Sequence, residues 1–69
     1  VETAAEAVWH PASSTLFSEE EKATILQKLA ARITAGGFLA VRATDSRSQL
    51  ENKAIAAAGL QALVEAALE

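Results

Sequence analysis

Arg47-Ser48-Gln49-Leu50-Glu51-Asn52-Lys53 is the stretch that decides the fold, because the hydrophobic pattern changes across it. Before it, apolar residues alternate from Phe38 to Ala43, in a short run that ends at Thr44-Asp45-Ser46. A short alternating run bounded by turn residues is typical of a β-strand. After it, the sequence is rich in alanine, which favours a helix. The sequence therefore predicts a strand, a turn and a helix in this order.

The helix that follows this stretch has two possible starting residues. Ser46 and Ser48 are each followed three positions later by Gln or Glu, a pattern in which the serine caps the first turn. The sequence leaves both starts open. In either case, apolar residues recur at helical spacing and mark the face expected to be buried. They are Ile55, Ala56, Leu60, Leu63, Val64, Ala67 and Leu68.

A first helix is predicted to begin at Ser18-Glu19-Glu20-Glu21. Ser18 can accept a hydrogen bond from the Glu21 amide while the Glu21 carboxylate reaches back to the amide of Ser18. Gly36-Gly37 is expected to end this helix, with one glycine in the left-handed conformation. The predicted buried face contains Ile25, Leu26, Leu29, Ala30 and Ile33.

The segment from Glu2 to Trp9 alternates imperfectly between small or apolar residues and polar ones, which predicts a strand. Pro11 ends it because proline has no backbone N–H to donate, and residues 12–15 are expected to form a surface loop. With the first helix between them, the two strands form a β-α-β unit. The sequence does not decide whether they run parallel or antiparallel.

The size and composition of the chain limit the stability it can reach without a partner and the kinds of site it can form. A chain of 69 residues is one small domain, in which folding buries only about 60% of the unfolded surface. We therefore expect a partner or further residues to stabilise it. The absence of cysteine excludes disulfides and thiolate metal sites. No apolar run reaches the roughly 18 residues that a transmembrane helix requires.

The net charge of −3 argues against non-specific nucleic-acid binding, which depends on Lys and Arg neutralising phosphates. All six basic residues nevertheless lie between Lys22 and Lys53, where only Asp45 and Glu51 oppose them, so this segment has a net charge of +4. Two interpretations remain open. The charges are solvated and spread over helix surfaces, which is the usual case, or they form a local basic face.

Four segments occur in a characteristic order: Val1-Glu2-Thr3-Ala4-Ala5-Glu6, Phe17-Ser18-Glu19-Glu20-Glu21-Lys22, Arg32 to Val41, and the Arg-Ser-Gln-x-x-Asn-Lys spacing of residues 47–53. In this order they resemble the catalytic domain shared by peptide-chain release factors and ribosome-rescue peptidyl-tRNA hydrolases. The nearest branch is the short, stop-codon-independent rescue type, which includes a member of the mitochondrial large ribosomal subunit.

The resemblance implies a single release-factor-like domain over residues 1–69, of the α+β class. We expect a β-α-β-α order, with two strands of a small sheet packed by two helices. A further strand is expected to be missing upstream, so that the domain is incomplete at its N-terminus.

The chemistry of the family depends on a Gly-Gly-Gln loop, which the resemblance places a few residues before Val1. Gly36-Gly37 is followed by Phe38 and does not replace it, so no catalytic residue is expected within the chain. Two functions are left open. The chain is a non-catalytic component of a large ribosomal subunit, located in the mitochondrion or otherwise in the cytoplasm, or it belongs to a rescue hydrolase whose loop lies upstream.

The resemblance also implies which residues contact RNA or the ribosome: Arg42, Arg47, Gln49, Asn52 and Lys53. In one interpretation Arg47 and Lys53 meet ribosomal RNA phosphates, while Gln49 and Asn52 orient the loop that carries Arg47. In the other, the amides bond to neighbouring loops and the basic residues face solvent. The expected partners are large-subunit proteins and ribosomal RNA, with no membrane, metal or cofactor.

Other chemistry has weaker support. His10 is the one histidine, and without Cys or a second His it is expected to be a surface loop residue. Glu2 and Glu6 would lie about 13 Å apart on a strand, too far for paired-carboxylate hydrolysis. Trp9 is expected in the core or over a sheet edge. The second helix packs against the sheet or presents its alanines to a partner. The remaining possibility is a small α+β domain of unrelated role.

Overall fold

The computed structural model describes residues 3–69 and confirms a small α+β domain in the order β-α-β-α. Two short 3₁₀ turns, Pro11–Ser13 and Ala30–Arg32, lie in the long connection between the strands. The regular elements are strand β1, Ala5–Trp9; helix α1, Glu19–Lys28; strand β2, Leu39–Ala43; and helix α2, Gln49–Ala67.

The two strands pair antiparallel, which answers the question that the sequence left open. Ala5 lies opposite Ala43 and Trp9 lies opposite Leu39. Because side chains alternate across a sheet, these four residues point to one face, and that face packs against α2. Both strands are slightly shorter than predicted, and Glu2 lies outside the described residues.

Helix α1 begins as predicted and ends earlier. Ser18 Oγ accepts from the Glu21 amide at 3.1 Å, and Glu21 Oε1 accepts from the Ser18 amide at 2.9 Å, so the capping box is complete. The predicted extension to Gly36-Gly37 is wrong, because the helix ends at Lys28. Ile33 instead forms an isolated antiparallel bridge with Leu39, so its backbone serves the sheet rather than the helix.

Gly36 and Gly37 belong to the turn that returns the chain from Ile33 into β2. The Gly37 amide donates to the Thr34 carbonyl at 2.9 Å, and the Thr34 amide donates to the Phe38 carbonyl at 2.9 Å. Gly37 has a φ of +87°, so one glycine is left-handed as predicted, although it lies in this turn and not at a helix end.

Replacing Gly37 with alanine is expected to lower the free energy of unfolding by about 1–2 kcal/mol, since a Cβ atom disfavours the left-handed conformation. The added Cβ would also lie 3.0 Å from His10 Nε2. Gly36→Ala is the matched control, because its Cβ would meet Phe38 at 3.4 Å and its φ is not positive. Urea unfolding of both variants measures the difference, and equal stabilities would contradict the prediction.

Helix α2 starts after Ser48, whose Oγ accepts from the Glu51 amide at 3.2 Å. This selects the later of the two predicted starts. The buried residues of α2 are Asn52, Ala56, Val64 and Ala67, while Ile55 is partly exposed. The helix lies across both strands. Because the buried alanines of α2 have small side chains, the helix can approach the sheet closely.

The core is small and lies at the junction of α1, β2 and the C-terminal half of α2. Trp9, for which the sequence predicted a place in the core or over a sheet edge, is partly buried against this core and meets Phe17 edge to face, with ring centroids 5.8 Å apart. Within residues 3–69, no helix combines the length and hydropathy needed to cross a membrane. The fully or nearly buried core residues are Ile25, Leu29, Leu39, Val64 and Ala67.

Candidate nucleic-acid interface

The candidate site lies at the loop between β2 and α2 and the first turns of α2. Asn52 is the buried polar residue at its centre. Its side chain is completely buried on the face of α2 that packs against the sheet. Oδ1 accepts from the Ser46 amide at 2.9 Å, and Nδ2 donates to the carbonyl oxygens of Ser46 at 2.8 Å and Thr3 at 3.1 Å. One amide group therefore joins the start of α2, the loop before it and the segment that enters β1.

The loop between β2 and α2 is further fixed by its own serines. Ser46 Oγ accepts from the Ser48 amide at 3.0 Å, and Ser48 in turn caps α2. Residues on both sides of Arg47 thus have defined hydrogen-bond partners. The backbone on both sides of Arg47 is therefore hydrogen-bonded, while the Arg47 side chain is exposed.

The predicted contact residues divide into three groups. Arg47, Gln49 and Lys53 are exposed around the loop and the first turns of α2, where Gln49 and Lys53 share one helical face. Asn52 is buried and holds the loop. Arg42 lies opposite Glu6 on the outward face of the sheet, away from α2, so the structure does not bring it together with the others.

The electrostatics of this end of the molecule are mixed. Arg47 and Lys53 are interspersed with the exposed acidic residues Asp45 and Glu51, so no uniformly basic patch forms there. Within the part of the chain that the structure describes, neither Arg47 nor Lys53 forms an ion pair. Both cations are therefore open to an external anion, and each would act as an individual contact rather than through a collective field.

The other sequence candidates do not form a second site. His10 is half-buried, with Nδ1 3.0 Å from Ser13 Oγ and its ring centroid 4.8 Å from that of Phe38. It therefore belongs to the surface turn after β1. Among residues 3–69, no three His, Cys, Asp or Glu side chains converge in a way that could hold a metal ion.

Sequence reasoning found Asn52 as a loop anchor but missed that it lies in the interior. A signal was present, because Asn52 precedes Ala56 by four residues and Leu60 by eight, on the predicted buried stripe of the helix. Gln49, which is paired with Asn52 in the prediction, makes no side-chain hydrogen bond within residues 3–69.

No family model matches the chain. No curated protein matches it either.

Proposed function

We propose that the chain is a ribosome-associated, release-factor-like domain that acts in translation as a non-catalytic component of a mitochondrial large ribosomal subunit. The observation that carries the proposal is the loop anchored by Asn52. It holds the backbone on both sides of the exposed Arg47, and Lys53 is exposed on the first turns of α2.

The anchored loop favours recognition of a phosphate for an energetic reason. A guanidinium can donate two parallel hydrogen bonds to two phosphate oxygens, but only if it is held in a suitable orientation. Because the hydrogen bonds of Ser46, Ser48 and Asn52 already order the loop, little backbone entropy is lost on contact.

The residue types in the stretch also have separate roles, which supports the resemblance to the release-factor domain. Ser48 caps the helix, Asn52 fastens the loop, and Arg47 and Lys53 remain exposed. A helix start that only faced solvent would need the cap at Ser48 but no buried side-chain amide. The buried amide is the additional element, since a buried polar group is costly unless all its hydrogen bonds are made.

Arg47→Ala is expected to weaken binding of the chain to purified large ribosomal subunits about tenfold, or about 1.5 kcal/mol, the scale of one charged hydrogen bond. The logarithmic dependence of affinity on salt should also become shallower by about 0.7–0.9, the contribution of one phosphate contact. Co-sedimentation over a series of potassium chloride concentrations measures both quantities.

Arg32→Ala is the matched control, because Arg32 is an exposed arginine in the Ala30–Arg32 turn and outside the interface. It should leave the affinity and the salt dependence almost unchanged. Equal losses in the two variants would indicate that only net charge matters, and a chain that does not sediment with subunits would contradict the proposal.

The second candidate is a rescue hydrolase whose Gly-Gly-Gln loop lies upstream, and one observation favours it. Asn52 Nδ2 bonds to the Thr3 carbonyl, so the Arg47 loop is tied to the segment that leads into β1. The resemblance connects the catalytic loop through this segment. The encoded sequence before Val1 and a peptidyl-tRNA hydrolysis assay distinguish the candidates: a Gly-Gly-Gln whose glutamine is needed for hydrolysis identifies an enzyme.

A further inference from the structure

The described surface contains an apolar groove that the proposed function does not use. It runs between residues 57–68, at the edge of the core, and residues 9–17, with a volume of about 430 Å³. Its floor contains Ala57, Leu60, Val64 and Leu68, and its wall contains Trp9, Leu16 and Phe17. Leu16 is 85% exposed, although its amide is held by Ser14 Oγ at 3.2 Å.

The floor of the groove has the periodicity of one helix face. Its four apolar residues are spaced by three or four positions along α2, so they form a stripe roughly 16 Å long at about 1.5 Å per residue. Such a stripe matches about three turns of a second helix, whose own apolar residues would recur at similar intervals. Ala57 contributes little bulk, which permits close approach of a partner backbone.

One acidic residue lines the groove, and two more line a neighbouring hollow. Glu65 lines it, and Gln61 Nε2 donates to Glu65 Oε2 at 3.4 Å. A second hollow begins at Leu68 and is lined in part by Glu20 and Glu21. Among the described residues that line either hollow, none is Lys or Arg.

The wider sequence around the groove shows the same lack of positively charged residues. The two segments that build the groove lie within residues 1–21 and 54–69, which contain no Lys or Arg. The lysines of α1 already have partners: Lys22 pairs with Glu19 at 3.3 Å and donates to the Ala12 carbonyl at 3.4 Å, and Lys28 donates to the Glu69 carbonyl at 3.4 Å. The groove therefore combines an apolar floor with a described lining that contains one carboxylate, Glu65, and no Lys or Arg.

We propose that the groove between α2 and residues 9–17 binds a basic amphipathic helix of a partner protein, with apolar residues on the α2 stripe and Lys or Arg facing Glu65, Glu20 and Glu21. A second copy of this chain is a poorer occupant. In a two-fold symmetric contact the same surface patch is used on both copies, so that two grooves without Lys or Arg in their described lining would face each other and neither would supply the positive charge. This surface is distinct from the Arg47 loop, and the proposal does not depend on the function proposed above.

The probe is a fluorescein-labelled peptide of about 14 residues, roughly 21 Å long as a helix, with leucine at helical spacing and lysine elsewhere. A matched peptide has glutamate in place of every lysine. We expect fluorescence anisotropy to show that the lysine peptide binds the folded chain at least tenfold more tightly than the glutamate peptide. Equal affinities, or no binding of the lysine peptide, would overturn the proposal.

Surface variants locate the binding. Leu16→Ser and Glu65→Lys should each weaken binding of the lysine peptide at least fivefold, and neither removes a core residue. Leu50→Ser and Glu51→Lys make the same changes at exposed positions at the other end of α2, and should leave binding unchanged. Circular dichroism establishes that all four variants are folded.

Two further results would overturn the proposal. The first is an equal loss of binding in the groove variants and the control variants, which would indicate attraction to the surface in general. The second is a dimer in sedimentation equilibrium that Leu16→Ser dissociates, because the groove would then be occupied by a second copy.

Discussion

Replacing Asn52 with alanine is expected to lower the free energy of unfolding by about 3 kcal/mol. The change removes three hydrogen bonds of a completely buried side chain and leaves the Ser46 amide and two carbonyl oxygens without their partners. An unsatisfied buried polar group costs about 1–3 kcal/mol. A domain of this size has a total stability of about 3–10 kcal/mol, so the variant should lose between about a third and all of its stability.

Gln49→Ala is the matched control, because it removes an exposed amide from the same helix. We expect it to change the free energy of unfolding by no more than about 0.5 kcal/mol, as most surface substitutions do. Chemical denaturation of both variants at equal temperature measures the difference. A loss below about 1 kcal/mol for Asn52→Ala would show that the amide does not fasten the loop.

Replacing Asn52 with aspartate should make the free energy of unfolding depend on pH through this position. The introduced carboxylate would replace the Nδ2 donor and face the carbonyl oxygens of Ser46 and Thr3, so burial and repulsion raise its pKa in the folded state. The unfolded chain then loses this proton at lower pH than the folded chain does. Stability of the variant should consequently fall, relative to the parent, as pH rises above about 4.

Replacing Ile25 with alanine is expected to cost about 3 kcal/mol, within the range for deleting a large aliphatic side chain from a core. Ile25 is completely buried and is the one buried residue within α1. Leu29, just after the helix, is the neighbouring contact of this segment with the core. The attachment of α1 to the core therefore depends largely on these two side chains.

Leu50→Ala is the corresponding control, since it shortens an aliphatic side chain that is 80% exposed. Its effect should stay within about 0.5 kcal/mol. Hydrogen exchange should additionally show that amides of α1 lose protection before those of β2 in Ile25→Ala. If α1 keeps its protection, other contacts hold the helix in place.

Local signals in the sequence predict the number, type and order of the elements. The box at Ser18 and the cap at Ser48 both form, because each depends only on residues within one turn. The end of α1 was not predictable in this way. Ile33 fits the helical spacing, but its backbone bridges to Leu39, and this pairing is visible only once the sheet exists.

The candidate interface is predictable to a similar extent. The exposure of Arg47 and Lys53 follows from their position at a helix start. The separation of Arg42 follows from strand register, because one residue along β2 reverses the direction of the side chain. The link from Asn52 to Thr3 could not be predicted from local sequence, since it crosses a separation of 49 residues and requires the antiparallel pairing.

The antiparallel pairing has a consequence for the order of events during synthesis of the chain. Strand β1 is made first, yet its partner β2 begins only at Leu39, after α1 and the glycine turn. Strand β1 therefore remains unpaired until β2 has been made, because long-range pairing requires the intervening chain to be closed into a loop. Asn52 is made later still, so its bond to Thr3 can form only once the first turn of α2 is also available.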